Sequence, residues 1–319
     1  MAYSVSALSA YTKDNLDELI FASMFDAKTA SLIKSGGTIR TGIKSAENIQ
    51  IIANGAGWQA DSCGFTSSGT TTFTQRTITV GKVKINQSFC ERDLETKWTQ
   101  LKMKAGSKYE ALTFEKEITA LYVGNINQDV ERAIWLGDTT SGNANLAQFD
   151  GLKKIINAGS GVVDANVLAY TGIATVAAST GVTASNALAI FQGIYKALPA
   201  NVLGKDDVRI FCGYDVFRTY QLALVTANYF NYAGQVGNLD EIIIPGTNVK
   251  VIPVHGLNAA NAIYALRLSN IYMGTDLENE EENFEIFFAK EADEMRFVAR
   301  FKMGVQVGLF NEIVKFNMA

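Results

Sequence analysis

The stretch MRFVARFKMGVQVGL, Met295 to Leu309, holds one side apolar for its whole length. Its odd positions are Met295, Phe297, Ala299, Phe301, Met303, Val305, Val307 and Leu309. Its even positions are polar or small (Arg296, Arg300, Lys302, Gly304, Gln306, Gly308), with Val298 the exception. Side chains alternate faces along a β-strand, so the spacing predicts one strand with an apolar face and a basic face. The fifteen residues far exceed the about five or six of an average strand. A strand of this length needs an equally long partner to cover it.

The partner is sought upstream. Phe114, Ile118, Leu121, Tyr122, Ile126, Val130 and Ile134 recur every three or four residues, a continuous helical stripe. Ser107 and Glu110 fit a capping box at its start, and Gly137 stands where a left-handed cap would end it. At a rise of about 1.5 Å per residue, that helix is a rod of roughly 45 Å. Rod and strand together predict an elongated slab, one helix thick, with a face that neighbours must cover.

Further out, residues 14–35 read as a helix stopped by Gly36-Gly37, and Asn48–Asn54 as a short strand. From Ser62 to Gly81, thirteen of twenty residues are Ser, Thr or Gly, a composition with little to bury. It leads into a run whose apolar phase flips at Gly81, with Ile78 and Val80 before and Val83 and Ile85 after, as at a bulge. Residues 46–90 are therefore expected to form a long two-stranded arm. Residues 155–272 read as a mixed α/β unit: a helix at Ala184–Leu198 capped by Thr183, a buried strand at Val208–Gly213, a helix from Tyr214, and two strands about Pro245-Gly246.

Composition excludes several classes. The chain has 319 residues, 48% of them hydrophobic and 19% charged, with net charge −4. That is ample core, without the bulk basic charge of a nucleic-acid or anionic-membrane binder. Cys63, Cys90 and Cys212 lack metal-site spacing and suit a reducing compartment. The first nineteen residues lack a basic region followed by an apolar core, so no secretory signal is expected. Between Ile155 and Tyr195 only Asp164 is charged, but Gly, Ser, Thr and Asn interrupt the run too often for a membrane span.

Catalytic motifs are weak. Gly55–Ala60, GAGWQA, has the form of a dinucleotide fingerprint, but no amphipathic helix follows and no acid occurs between Asp61 and Glu91. His255 is the only histidine and reads as structural. Asp276–Glu294 carries nine carboxylates against Lys290 alone, without the spacing of a calcium loop. The basic face of the final strand, Arg296, Arg300 and Lys302, is the natural counterpart of these acids. Neither enzymatic activity nor a cofactor or metal is expected.

The order of parts resembles the major capsid proteins of tailed bacteriophages, whose shell fold is named after phage Hong Kong 97. The most specific stretch is Glu131-Arg132-Ala133-Ile134-Trp135-Leu136-Gly137-Asp138 followed by Phe149-Asp150-Gly151-Leu152. It looks like the family's spine-helix exit, polar loop and entry to the axial domain. The resemblance implies an α+β Hong Kong 97-like fold divided as N-terminal arm 1–45, extended hairpin loop 46–90, peripheral domain with spine helix 91–154, axial domain 155–272 and return strands 273–319. It implies a shell subunit of the virion, self-assembling as hexamers and pentamers in the host bacterial cytoplasm and enclosing double-stranded DNA without sequence-specific binding. A separate scaffold, a portal and decoration proteins are the implied partners. Some members weld the shell by a Lys–Asn bond, for which Lys82, Lys84 and Asn283 are candidates by type. Expected subunit contacts are Phe73, Ile78, Val80, Val83, Ile85, Arg296 and Arg300. An encapsulin-type nanocompartment subunit and a cytoplasmic α/β enzyme built on 155–272 are the alternatives.

Overall fold

A computed structural model describes residues 27–55, 57–61, 63–65, 67–89, 114–166, 181–227, 241–276, 284–292 and 294–318. The opening stretch is strand β12, Glu294–Val307, fourteen residues long. Every odd residue from Met295 to Val307 is buried. β12 organises one sheet. On one side it pairs antiparallel with β10 (Ile271–Thr275) and, further along, with β11 (Phe284–Ala289). On the other side it pairs with β4 (Gly81–Phe89), and β1 (Thr38–Arg40) joins β10 in parallel. Leu309 departs from the expectation: the strand ends at Val307, the chain turns away, and Leu309 is exposed.

The apolar face of β12 meets helix α2, Phe114–Leu136. Tyr122 stacks on Phe297 with ring centroids 4.7 Å apart, and Ile126, Val130 and Ile134 are buried in the same core as the odd residues of β12. The expected start of this helix at Ser107–Glu110 lies outside the described residues, as do residues 14–26 of the expected first helix. The rest of that helix is α1, Lys28–Gly36, whose Ala30 and Ile33 join the same core.

A second, six-stranded sheet has the order β5-β13-β9-β6-β8-β7, with β5 at Val163–Asp164, β6 at Val208–Cys212, β7 at Ile242–Ile243, β8 at Lys250–Pro253, β9 at Ala262–Arg267 and β13 at Val314–Asn317. One face (Phe211, Ile252, Tyr264) packs on Trp135 at the end of α2. The other (Ile210, Val251, Ile263, Phe316) is covered by α4, Ala187–Ala197, and α5, Tyr214–Thr226. Helix α3, Leu152–Ala158, lies between, with Leu152 and Ile156 in the first core.

Four expectations change. The final strand β13 returns to this second sheet, so residues 273–319 are not one unit. Helix α4 starts at Ala187 and not at Ala184, with Asn186 at its cap position: Asn186 Oδ1 accepts from Thr183 N, 2.7 Å. Gly137 has no left-handed backbone; it is required by space, because a Cβ there would lie 2.5 Å from Phe149 O. Gly81 is not a bulge within the arm. It is the point where the chain leaves the arm and enters the body sheet as β4, so close to the loop before α3 that a Cβ would lie 2.0 Å from Gln148 O. Between Pro245 and the next strand, Gly246 does take φ +79°, as a Pro-Gly turn requires.

Candidate assembly interface

The arm is the hairpin of β2 (Ala46–Asn54) and β3 (Thr71–Thr79), paired throughout from Ala46↔Thr79 to Asn54↔Thr71. Directly opposed residues share a face. Ile49 opposes Arg76 and Glu47 opposes Ile78, which defines the face turned to the body. Ile78 and Ile49 are buried there with Ile43 and Val80, a small core packed beside Tyr272. What lets the hairpin come so close is a pair of glycines: Gly274 of β10 is in register with Gly304 of β12. A Cβ on Gly304 would lie 2.2 Å from Thr79 O, and one on Gly274 would meet Ile43 and Ile78 at about 3 Å.

This overturns part of the contact set. Ile78 and Val80 fill a core of their own subunit and are not available to a neighbour. Val83 and Ile85 sit on β4 of the body sheet, half-buried against the α2 core. Of the five apolar residues in that set, Phe73 alone is exposed, at 72%. Its cross-strand partner is Ile52, 62% exposed, on the face turned away from the body. Beyond the paired strands, Trp58 and Phe65 are 95% and 96% exposed. Ile52, Trp58 and Phe65 escaped the sequence reading. The signal was the second apolar phase of NIQIIAN, where Ile49 and Ile51 occupy one face and Ile52 the other.

The even face of β12 carries the arm root at Gly304 and Gln306, whose Nε2 donates to Thr77 O, 2.8 Å. It also carries the basic row. Arg296 pairs with Glu294 at 2.8 Å and Lys302 with Asp276, so two of the three cations meet acids of the 276–294 segment within the subunit. Arg300 is exposed and has no ion-pair partner among the described residues; it opposes Lys84 across the sheet, and Lys302 opposes Lys82. Most of the acidic run, and Asn283, lie outside the described residues.

The other singled-out residues have structural roles. Gly55 and Gly57–Ala60 of GAGWQA are exposed and non-helical, unlike the helix start that a dinucleotide fingerprint requires. His255 stacks on Tyr214 with centroids 4.4 Å apart, and its Nδ1 lies 3.2 Å from Asn258 Nδ2. Glu131 is buried and accepts from Thr29 N at 2.8 Å and from Thr29 Oγ1, which in turn accepts from Trp135 Nε1 at 2.8 Å. Burial pushes the Glu131 carboxyl above the usual range against the pull of these bonds. The trio fastens α1 to α2. Among the described residues no helix is long and apolar enough to cross a membrane.

No protein-family model and no curated protein sequence matches the chain. Solved structures do. A chain of the satellite phage P4 procapsid, in a structure including the size determination protein, aligns with TM-score 0.59 at 10% identity, over 95% of this chain and 98% of that one. A chain of Gordonia phage Cozz aligns at 0.55, 9% identity, over 91% and 86%. One from the capsid of an empty GTA particle aligns at 0.52, 13% identity, over 92% and 90%. The chain has the Hong Kong 97-type shell fold of phage capsids.

The expected spine helix falls on α2, the expected extended loop on β2–β3, and the expected axial domain on the six-stranded sheet with α4 and α5. The stretch that carried the resemblance has a physical cause here. Gly137 and Gly151 lie back to back: Gly151 N donates to Gly137 O at 2.8 Å, and a Cβ on Gly151 would lie 2.6 Å from Gly137 N. The polar loop between them is closed by Lys154, whose Nζ is 2.7 Å from both Asp138 Oδ1 and Asp150 Oδ1. Hydrogen bonds from Lys154 and Thr140 hold the Asp138 carboxyl down at about 2. Leu222 and Val225 are exposed one turn apart on α5, a second apolar surface that sequence reading missed.

Proposed function

We propose that the chain is the major structural subunit of an icosahedral phage shell, assembling as hexamers and pentamers in the host cytoplasm and enclosing double-stranded DNA. The observation that carries this reading is the arm. It is anchored on the body by one face, and it turns Ile52, Phe73, Trp58 and Phe65 outward with nothing in the described subunit to cover them. Apolar surface of that kind on a projecting hairpin is stable in water only against another molecule. The shared shell fold makes a second copy the natural occupant, met head to tail so that rings close. Phe73 and the exposed Arg300 are retained as subunit contacts. A chain of net charge −4 suits a wall along which packaged DNA slides without adhering.

Sedimentation and electron microscopy of the purified full chain, alone and co-expressed with its genomic neighbours, test the proposal. Capsomers or closed shells are expected. A stable monomer under every salt and co-expression condition overturns the shell reading. Nuclease-protected DNA in particles is expected of a virion, whereas particles holding only protein cargo overturn the genome-enclosing half.

A further inference from the structure

The two sheets are joined by two strand-to-strand crossings that run side by side. Leu268–Asn270 leads from β9 to β10, and Gly308–Ile313 leads from β12 to β13. Asn270, almost fully buried, binds the crossings into one strap. Its Nδ2 donates to Leu309 O and its Oδ1 accepts from Leu309 N, both 2.7 Å, while Gly308 N donates to Asn270 O at 3.1 Å. Arg267 fixes the strap to the axial domain through Asp207, 3.1 Å, and the buried Glu312, 3.3 Å. Rotation of one sheet against the other would load this strap.

The arm is fastened to this same strap. The Arg76 guanidinium lies over the Phe310 ring, 4.1 Å from its centroid, and Arg76 Nε donates to Gly308 O at 3.4 Å. One residue on, Thr77 O accepts from Gln306 of the strand that feeds the strap. Phe310 has little room to move independently. It is buried, and on another side it presses on Gly159, where a Cβ would lie 2.7 Å from the ring. The attraction between a cation and the face of a ring held in place ties the positions of the two groups together.

We infer that Arg76 couples the direction of the arm to the angle between the two sheets, through Phe310 and the Asn270 strap. Occupation of the arm by another molecule is then sensed at the inter-sheet strap, and a change at the strap re-aims the arm. Such coupling is reciprocal, because it is one free energy shared by two sites. The inference concerns the free subunit and stands or falls apart from the shell reading.

Amide hydrogen exchange on the full-length chain tests it, since exchange reports local opening segment by segment. Arg76→Ala is expected to speed exchange about tenfold, within the usual coupling range, both in the arm root 74–80 and in the crossings 268–270 and 308–313. Asn270→Ala, which touches no arm residue, is expected to speed exchange in β3 as well. Helices α4 and α5 serve as internal controls and stay unchanged. Arg76→Lys keeps the charge but not the planar stack and should resemble Arg76→Ala; wild-type exchange in that variant overturns the stacking mechanism. If each variant loosens only its own segment, the coupling is refuted. Should Asn270→Ala fail to fold, Glu312→Gln loosens the strap through Arg267 and tests the same reciprocity.

Discussion

At the scale of single residues, the decisive positions are those where a side chain has no room. Gly137 and Gly151 close the C-terminal end of α2, and each would drive a Cβ to within about 2.6 Å of backbone. Backbone cannot swing aside as a long side chain can, so Gly151→Ala is expected to destabilise by about 1–3 kcal/mol, the usual cost of overpacking. Gly142, in the same loop, is the control, because a Cβ there would meet nothing within 4 Å: Gly142→Ala should leave thermal unfolding unchanged. Equal melting of the two variants would mean the close approach costs nothing. Asp138 in this loop gives a pH signature. Its carboxyl is held below its ordinary value, so its contribution is present above about pH 4 and fades as pH falls towards 2. Asp138→Asn should therefore melt below wild type at neutral pH, with the difference closing between about pH 4 and pH 2. A difference that persists at pH 2 would assign the effect to something other than ionised Asp138.

Elements show what a pattern can and cannot reveal. The period-two pattern of β12 and the heptad-like stripe of α2 were legible because each follows from one repeated geometry. Every odd residue from Met295 to Val307 is in fact buried. Leu309 continues the pattern yet is exposed, because strand ends are set by where partners stop and not by the side chains of the strand itself. The arm was legible as an arm, but its faces were assigned to the wrong occupant. Alternation at Ile78 and Val80 says that one face is buried; it does not say by which molecule. The answer lay in Gly274 and Gly304, whose missing side chains make the seat although they lie far away in sequence. Two substitutions separate the faces. Ile78→Ala should cost about 2–5 kcal/mol in folding stability, as for a fully buried aliphatic residue. Phe73→Ser should change monomer stability by less than about 0.5 kcal/mol, as for most surface positions, and still impair assembly. Denaturant unfolding of dissociated subunits and particle yield would read the two effects. The reverse assignment of effects would exchange the two faces.

For the whole molecule, the question is whether folding and association are separate. Two large cores account for most of the described body: one between α2 and both sheets, one between the six-stranded sheet and its helices. Neither contains a residue between Ile52 and Phe73. The hairpin nevertheless contributes to the body at its root, through Ile49, Arg76, Thr77 and Ile78. A deletion reaching Gly81 would therefore damage folding and association together. The informative cut is narrower. Asn54 and Thr71 are directly paired, and Gly55 N donates to Thr70 O at 2.9 Å as the next, hydrogen-bonded pair, so residues 56–69 can be replaced by a two-residue Asn-Gly turn without disturbing the register below. That chain loses Trp58 and Phe65 but keeps the whole root. Circular dichroism and thermal melting should match wild type, because no part of either core has been removed. Closed particles should be lost or dissociate at lower temperature, since the most exposed apolar side chains of the arm no longer reach a second molecule. Intact, equally heat-stable particles would exclude the arm tip from the contact surface. An unfolded chain would show that the tip supports its own subunit, and that folding and association cannot be divided at the arm.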